Sequence, residues 1–115
     1  MVEKDDPKGM RKGLTRYGDD AFALFLRKSF IKGAGYGDDA LDRLVIGIAD
    51  TSSDFNPCHG NAQELISQVR AGFLAAGGLP MAFPTISLHE SFAHPTSMYL
   101  RNLMAMDTEE MLKSL

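Results

Sequence analysis

Residues 44–88 read LVIGIADTSSDFNPCHGNAQELISQVRAGFLAAGGLPMAFPTISL, and the rest of the chain takes its meaning from them. Residues 44–49 are a continuous apolar run, the pattern of a strand buried on both faces. A polar loop, 50–60, follows. Asn61-Ala62-Gln63-Glu64 then has the form of a capping box, Asn61 accepting from the first helical turn and Glu64 reaching back to it. Leu65, Ile66, Val69 and Phe73 recur at helical spacing as a buried stripe, and Gly77-Gly78 closes the helix. Residues 83–88 alternate, Ile86 and Leu88 against Thr85 and Ser87, as a second strand would. Strand, helix and strand of these lengths make a βαβ unit, which places the chain in the α/β class with a parallel sheet and flanking helices.

That topology has a functional consequence. A right-handed crossover makes the two strands parallel, so their carboxyl ends share one edge of the sheet. Open α/β sheets bind ligands outside that edge. The loop leaving the first strand carries Cys58 and His59. The segment leaving the second carries His89, Glu90 and, a little later, His94. A thiol, a carboxylate and imidazoles are therefore expected at one rim.

Outside this unit the signals are simpler. Residues 1–17 read as a flexible lead-in, and 18–115 as the folded portion. Asp19 or Asp20 can cap a helix whose Phe22, Phe25, Leu26 and Phe30 fall at helical spacing. The glycines after Lys32 end it. They lack a preceding strand and a following Gly-Lys-Ser/Thr, so they are no phosphate loop. Residues 38–43 form a short helical turn. Near the end, 91–104 is a helix restricted at its start by Pro95. Asp107-Thr108-Glu109-Glu110 is a second capping box, opening another helix that runs out at Leu115. A well-started helix that stops so soon, and two strands that are both edges, suggest the N-terminal part of a larger, truncated domain.

Composition bounds the chemistry. The chain has 115 residues, 44% hydrophobic, with 12 basic and 15 acidic residues and a formal net charge of −3. A folded domain fits these figures; a phosphate-binding basic surface does not, so no nucleic-acid partner is expected. The polar first dozen residues are no signal peptide, and no apolar run is long enough to span a bilayer. One cysteine makes no internal disulfide, which points to a reducing, cytoplasmic setting. One cysteine and three histidines are too few for a self-contained zinc site.

Cys58 has two readings. A free cysteine is commonly a small buried hydrophobe; this one sits in a polar loop ahead of a helix N-terminus, whose dipole favours an anionic sulfur. A functional Cys58 is either a nucleophile, partnered by His89 or His94 rather than by adjacent His59, or a metal ligand. Glu90 is either a solvated strand-end carboxylate or a rim acid. Met98, Met104 and Met106 read as core filler. The acidic pairs at 19–20, 38–39 and 109–110 read as caps and solvated faces.

Three long motifs carry a family likeness: GLTRYGDDAFALFLRKSFIKGAGY (13–36), SDFNPCHGN (53–61) and AGGLPMAFPTISLHESFAHPTSMYLRNLMAMDTEE (76–110). From Gly13 onward the chain resembles the N-terminal region of the IlvD/Edd dehydratases, the dihydroxy-acid and sugar-acid dehydratases. His89-Glu90-Ser91-Phe92, where branched-chain biosynthetic members carry a DDGI-type sequence, is similar to the aldonate branch acting on arabonate or xylonate.

The resemblance implies an iron–sulfur, Mg²⁺-dependent hydro-lyase that converts a sugar acid or 2,3-dihydroxy acid to a 2-keto-3-deoxy acid, usually as a homo-oligomer. It implies Cys58 as one ligand of a [2Fe–2S] or [4Fe–4S] cluster and Glu90 as a Mg²⁺ ligand. Ser87, His89 and His59 would line the pocket or the cluster loop. The family's base, a serine, lies downstream, so no catalytic base is expected in this chain. Two departures stand out. Asp50 replaces a common asparagine, and the later Cys-Asp-Lys segment, with further cluster and Mg²⁺ ligands, is absent. The chain is therefore expected to be inactive alone. The competing expectations are a non-catalytic remnant or interaction partner of an intact paralogue, and a small thiol enzyme built on Cys58.

Overall fold

The computed structural model describes residues 6–114 of the chain. The order is a 3-10 turn Gly9–Arg11, helix α1 Asp20–Gly33, a 3-10 turn Asp38–Asp42, strand β1 Val45–Asp50, a 3-10 turn Pro57–His59, helix α2 Ala62–Ala75, strand β2 Leu79–Pro84, a 3-10 turn Glu90–Phe92 and helix α3 Met98–Ser114. Strands β1 and β2 pair in parallel, from Val45 opposite Leu79 to Asp50 opposite Pro84. The chain is an α/β fold, and its βαβ unit is present as expected.

The second strand lies earlier than the alternation at 83–88 suggested. Its register with β1 is the reason: β1 ends at Asp50, so residues beyond Thr85 have no strand to pair with. Leu79 donates its N–H to the Leu44 carbonyl at 2.8 Å and Thr85 to the Asp50 carbonyl at 3.0 Å. Pro80 and Pro84 stand at the opposite parity, where the N–H they lack would point away from β1. The expectation that β1 is buried on both faces also fails. Its residues are half-buried or exposed, because a two-stranded sheet covers little of either face.

The apolar core is small and sits at the start of the strands, away from the rim. Leu41 and Leu79, both 0% exposed, pack with Ile31 and Ala40. Met10, Tyr36, Val45 and Met81 close around them. Met10 belongs to the stretch expected to be a flexible lead-in, yet residues 9–13 are tied to the fold. The Arg27 guanidinium donates to the carbonyls of Met10, Lys12 and Gly13, each at 2.8 Å, and Arg11 pairs with Asp42 at 2.7 Å. Residues 1–5 of that lead-in lie outside the described residues, as does Leu115 at the end of the last expected helix.

Helix α1 starts as anticipated, with Asp19 Oδ1 accepting from the Phe22 amide at 2.8 Å. Its expected apolar stripe, however, faces solvent. Phe22 and Phe25 are exposed, Phe30 is 76% exposed and Leu26 only half-buried, while Ala23 and Ile31 are buried. Tyr17, Phe22 and Phe25 stack on one another instead.

Helix α2 lacks the expected capping box. Asn61 follows directly on the Pro57–His59 turn with φ −99° and ψ 7°, not the extended geometry a side-chain cap needs, and it makes no cap hydrogen bond. In the stripe, Leu65 and Val69 are exposed; Ile66 and Phe73 are half-buried. The helix does end on its glycines. Gly77 at φ +88° lets Gly78 N–H reach the Phe73 carbonyl at 2.9 Å and its own N–H reach Leu74 at 3.1 Å, a Schellman closure. The two helices expected at 91–104 and from Asp107 are one, α3. It begins only at Met98, after a cis His94–Pro95 bond. Thr108 is inside a helix already formed, so its motif caps nothing. The radius of gyration, 17.4 Å, exceeds the roughly 13 Å of a compact chain this long, consistent with the apolar helix faces left open.

Candidate functional site

The segments leaving β1 and β2 meet at the carboxyl edge and are bonded to each other. Asn56 Nδ2 donates to Ser87 Oγ at 2.9 Å, and the His89 amide donates to the Phe55 carbonyl at 2.8 Å. The rings of Phe55 and Phe92 meet edge to face, 6.2 Å apart. The Asp50 carbonyl accepts from the Thr85 amide at 3.0 Å and its hydroxyl at 3.2 Å. With the first turns of α3, these segments enclose a cleft of about 420 Å³ lined by Cys58, His59, Ser87, His89 and Glu90. Five of the residues expected at the rim are therefore brought to one cavity. His94, the other imidazole considered as a partner for Cys58, is exposed and not among the lining residues.

Cys58 is exposed on the Pro57–His59 turn, so the buried-hydrophobe reading does not hold. His59 Nδ1 lies 3.2 Å from the Thr51 carbonyl and 3.3 Å from Asn56 Nδ2. It donates to the first or accepts from the second, not both at once. His89 Nδ1 accepts from the Ser91 amide at 3.1 Å and faces the Ser91 hydroxyl at 2.7 Å. In neutral His89 that places the proton on Nε2.

Glu90 opens its own short turn, and its Oε2 accepts from the Ser97 amide at 2.8 Å and from the Ser97 hydroxyl. Ser97 is 1% exposed, the one buried polar residue among those described. The Ser97 hydroxyl, then its amide, then Thr96 hold the Glu90 carboxyl below the usual carboxylate range, because each bond favours the charged form.

Asp50, the departure noted in the sequence, is well satisfied. Its Oδ1 accepts from the Ser52 amide at 2.8 Å and its Oδ2 from Gln63 Nε2 at 3.0 Å. Gln63 also donates to Ser52 Oγ at 2.7 Å. The Ser52 and Gln63 bonds hold its carboxyl below the usual range, and they fasten the root of the cysteine loop to the first turn of α2.

Further polar residues share the cleft. Asn56, Ser97 and Arg101 line it, and none was singled out from the sequence. Ser97, Leu100, Arg101 and Met104 recur at i, i+3, i+4 and i+7, one helix face. That signal is readable once the helix is started at Met98 rather than at 91. Met104 thus faces the cleft, and Met98 and Met106 are exposed rather than core filler. Arg101 brings the cleft a cation, opposite in sign to Glu90.

Chemically, the cleft offers one soft donor, the Cys58 thiol, and one hard donor, the Glu90 carboxylate. Soft thiolates suit iron and carboxylates suit Mg²⁺. Among the described residues no three His, Cys, Asp or Glu side chains converge on a metal position, so each donor fits as one ligand of a larger set. No helix among these residues is long and apolar enough to cross a membrane.

Comparison with known proteins identifies the family. Residues 43–115 match the dihydroxy-acid/6-phosphogluconate dehydratase N-terminal family. The chain is 40% identical over 98 residues to the L-arabinonate dehydratase of Rhizobium leguminosarum bv. trifolii, covering 84% of this chain and 17% of the relative. It is 39% identical over 90 residues to the L-arabonate dehydratase of Azospirillum brasilense, covering 77% and 15%. It is 36% identical over 93 residues to the D-xylonate dehydratase of Caulobacter vibrioides, covering 81% and 16%. The chain spans about one sixth of the length of these relatives. A parallel βαβ unit whose two exit segments close on a shared cleft, matched over its length by these dehydratases, makes this chain a member of the dihydroxy-acid/6-phosphogluconate dehydratase family through its N-terminal region.

Proposed function

We propose that this chain supplies one wall of the active site of a hydro-lyase that removes water from a sugar acid, of the arabonate or xylonate kind, to give a 2-keto-3-deoxy acid. The observation that carries the reading is that Cys58 and Glu90, on segments from different strands, line the same cleft. In this reading Cys58 is one thiolate ligand of an iron–sulfur cluster, and Glu90 is one carboxylate ligand of Mg²⁺. Bound there, such metals supply Lewis-acid polarisation of a departing hydroxyl and stabilisation of charge on the substrate oxygens.

The residues of the chain have their own tasks. Arg101, the cation of the cleft, attracts the carboxylate of an aldonate and orients it. The Nε2–H of neutral His89 offers a donor to a sugar hydroxyl. The bonds from Asn56 to Ser87 and from His89 to Phe55 hold the two segments in register, so that cysteine and glutamate keep a fixed separation. The remaining ligands and the base come from residues other than those described. The chain by itself is then inactive, and the protein works in a reducing compartment such as the cytoplasm, where a cluster thiolate survives. Asp50 gives no support to a non-catalytic remnant, since its carboxylate is fully used in bracing the loop.

The test is an assay of iron and acid-labile sulfide in anaerobically purified protein, with aldonate dehydration followed with and without Mg²⁺. Cluster and activity that are both lost in Cys58→Ser support the proposal. A Cys58→Ser protein with an unchanged iron and sulfide content overturns it. A stoichiometric cluster and turnover in residues 1–115 alone would refute the claim that further ligands are needed.

A further inference from the structure

The contact between Glu90 and Ser97 is the most constrained polar feature of the cleft. Ser97 is almost fully buried, in a fold where nearly every other polar side chain is not. Both of its donors, amide and hydroxyl, converge on the same oxygen, Oε2 of Glu90. Neither of the two Ser97 bonds involves Oε1. A carboxylate held in this way has one oxygen committed to the protein and one facing outward. Its rotation about the side chain is blocked, because turning would break two bonds at once.

Ser97 also anchors α3. Its carbonyl accepts the first helical bond, from the Arg101 amide at 3.1 Å. The residue that fixes Glu90 therefore also fixes the helix face that carries Arg101 and Met104 into the cleft.

We infer that Ser97 is a positioning residue for a divalent cation: it locks Glu90 so that only Oε1 is presented to the metal, and it sets the distance from that oxygen to Arg101. The inference rests on Glu90 being a metal ligand, as proposed above, and adds the group that orients it. Ser97 acts through Glu90, to which both of its donors are committed. Outer-shell partners of metal ligands characteristically change affinity by about 10–100-fold when removed. The amide bond survives substitution, so the lower end of that range is expected here.

The experiment is titration of Mn²⁺ alone, read by electron paramagnetic resonance, into the protein as expressed from its gene and into three variants. Glu90→Gln is expected to abolish the tight site. Ser97→Ala is expected to weaken it about 10-fold and to broaden the bound spectrum as the carboxylate gains freedom. Ser97→Thr, which keeps the hydroxyl, is expected to restore affinity to within about 3-fold of the parent, whereas a role for Ser97 through its packing rather than its hydroxyl predicts no such rescue of affinity or spectrum. Should Ser97→Ala fail to fold by circular dichroism, Ser97→Cys, close in volume and a weaker donor, is read in the same way. Loss in Glu90→Gln with parent-like affinity and spectrum in Ser97→Ala or Ser97→Cys overturns this inference alone. Parent-like Mn²⁺ binding in Glu90→Gln overturns the assignment of Glu90, and this inference with it.

Discussion

The rim and the helix faces of this chain are finished to different degrees. At the rim, polar groups are matched: Asp50, Asn56, Ser87, His89, Glu90 and Ser97 all have partners within the two exit segments or the first turn of α3. Among the described residues no buried side-chain polar atom lacks one. On the helices the opposite holds. Phe22, Phe25 and Phe30 of α1, Leu65 and Val69 of α2, and Leu103 and Met106 of α3 face solvent. Hydrogen bonds are directional and short-ranged, so a loop of a few residues can satisfy itself. Apolar faces need area from another element, and this chain provides little. The site's frame is therefore encoded locally, while much of the hydrophobic stabilisation is not.

The largest expected effect tests the function of the rim. Cys58→Ala or Glu90→Gln is expected to lower aldonate dehydration more than about 100-fold, beyond what loss of an outer-shell partner costs, measured as kcat/KM. A loss under 10-fold would leave the rim well built but not catalytic. Next comes the one well-packed part of the interior. Leu41 is 0% exposed, and Leu41→Ala is expected to cost about 2–5 kcal/mol by denaturant titration. A cost under about 1 kcal/mol would mean the core packs more loosely than its burial implies. Asn56→Ala removes the cross-link between the exit segments and is expected to cost about 1 kcal/mol. Its mark at the site is a looser Mn²⁺ spectrum rather than lost turnover alone.

A smaller effect concerns pH. The Asp50 carboxyl is held below its ordinary value by Ser52 and Gln63. Its folded pKa lies under its unfolded one, so its contribution is present above about pH 4 and is lost as pH falls through the folded value. Asp50→Asn, which can keep the Ser52 amide bond but loses the acceptor for Gln63, is expected to lower the neutral Tm slightly and to flatten the acid limb of Tm against pH below about pH 4. An unaltered acid limb would show that the bonds to Asp50 do not persist in solution. The smallest effect is expected at Phe30. With its ring 76% exposed, Phe30→Ser should change stability by no more than about 0.5 kcal/mol. A loss of 2 kcal/mol or more would break the comparison, by showing that the α1 face is covered in the working protein.

Legibility followed the same division. The βαβ unit, the glycine closure of α2 and the Asp19 cap were readable because each depends on a few consecutive residues. The gathering of Cys58, His59, His89 and Glu90 followed from parallel topology, which also expected His94 there; Ser87 was named only by the family resemblance. What was not readable depended on partners distant in sequence. The bounds of β2 are set by where β1 ends, not by the alternation at 83–88. The capping box at Asn61 failed because a 3-10 turn runs straight into it, and the one at Asp107 because α3 had already begun. The stripes of α1 and α2 were identified correctly as apolar faces, but burial needs something to face. Ser97 was missed because a buried serine looks like any other until Glu90 is seen against it.

The two prolines of β2 have a consequence for how the sheet can grow. Positions 80, 82 and 84 point their backbone donors outward, and two of the three are proline, with no donor to give. A newcomer strand would find that margin short of donors, whether it came from this protein or from a neighbouring molecule. The free margin of β1 carries no such block, so accretion of further strands, native or aberrant, is steered to that side. Two ring closures in a six-residue strand thus give a two-stranded sheet a direction.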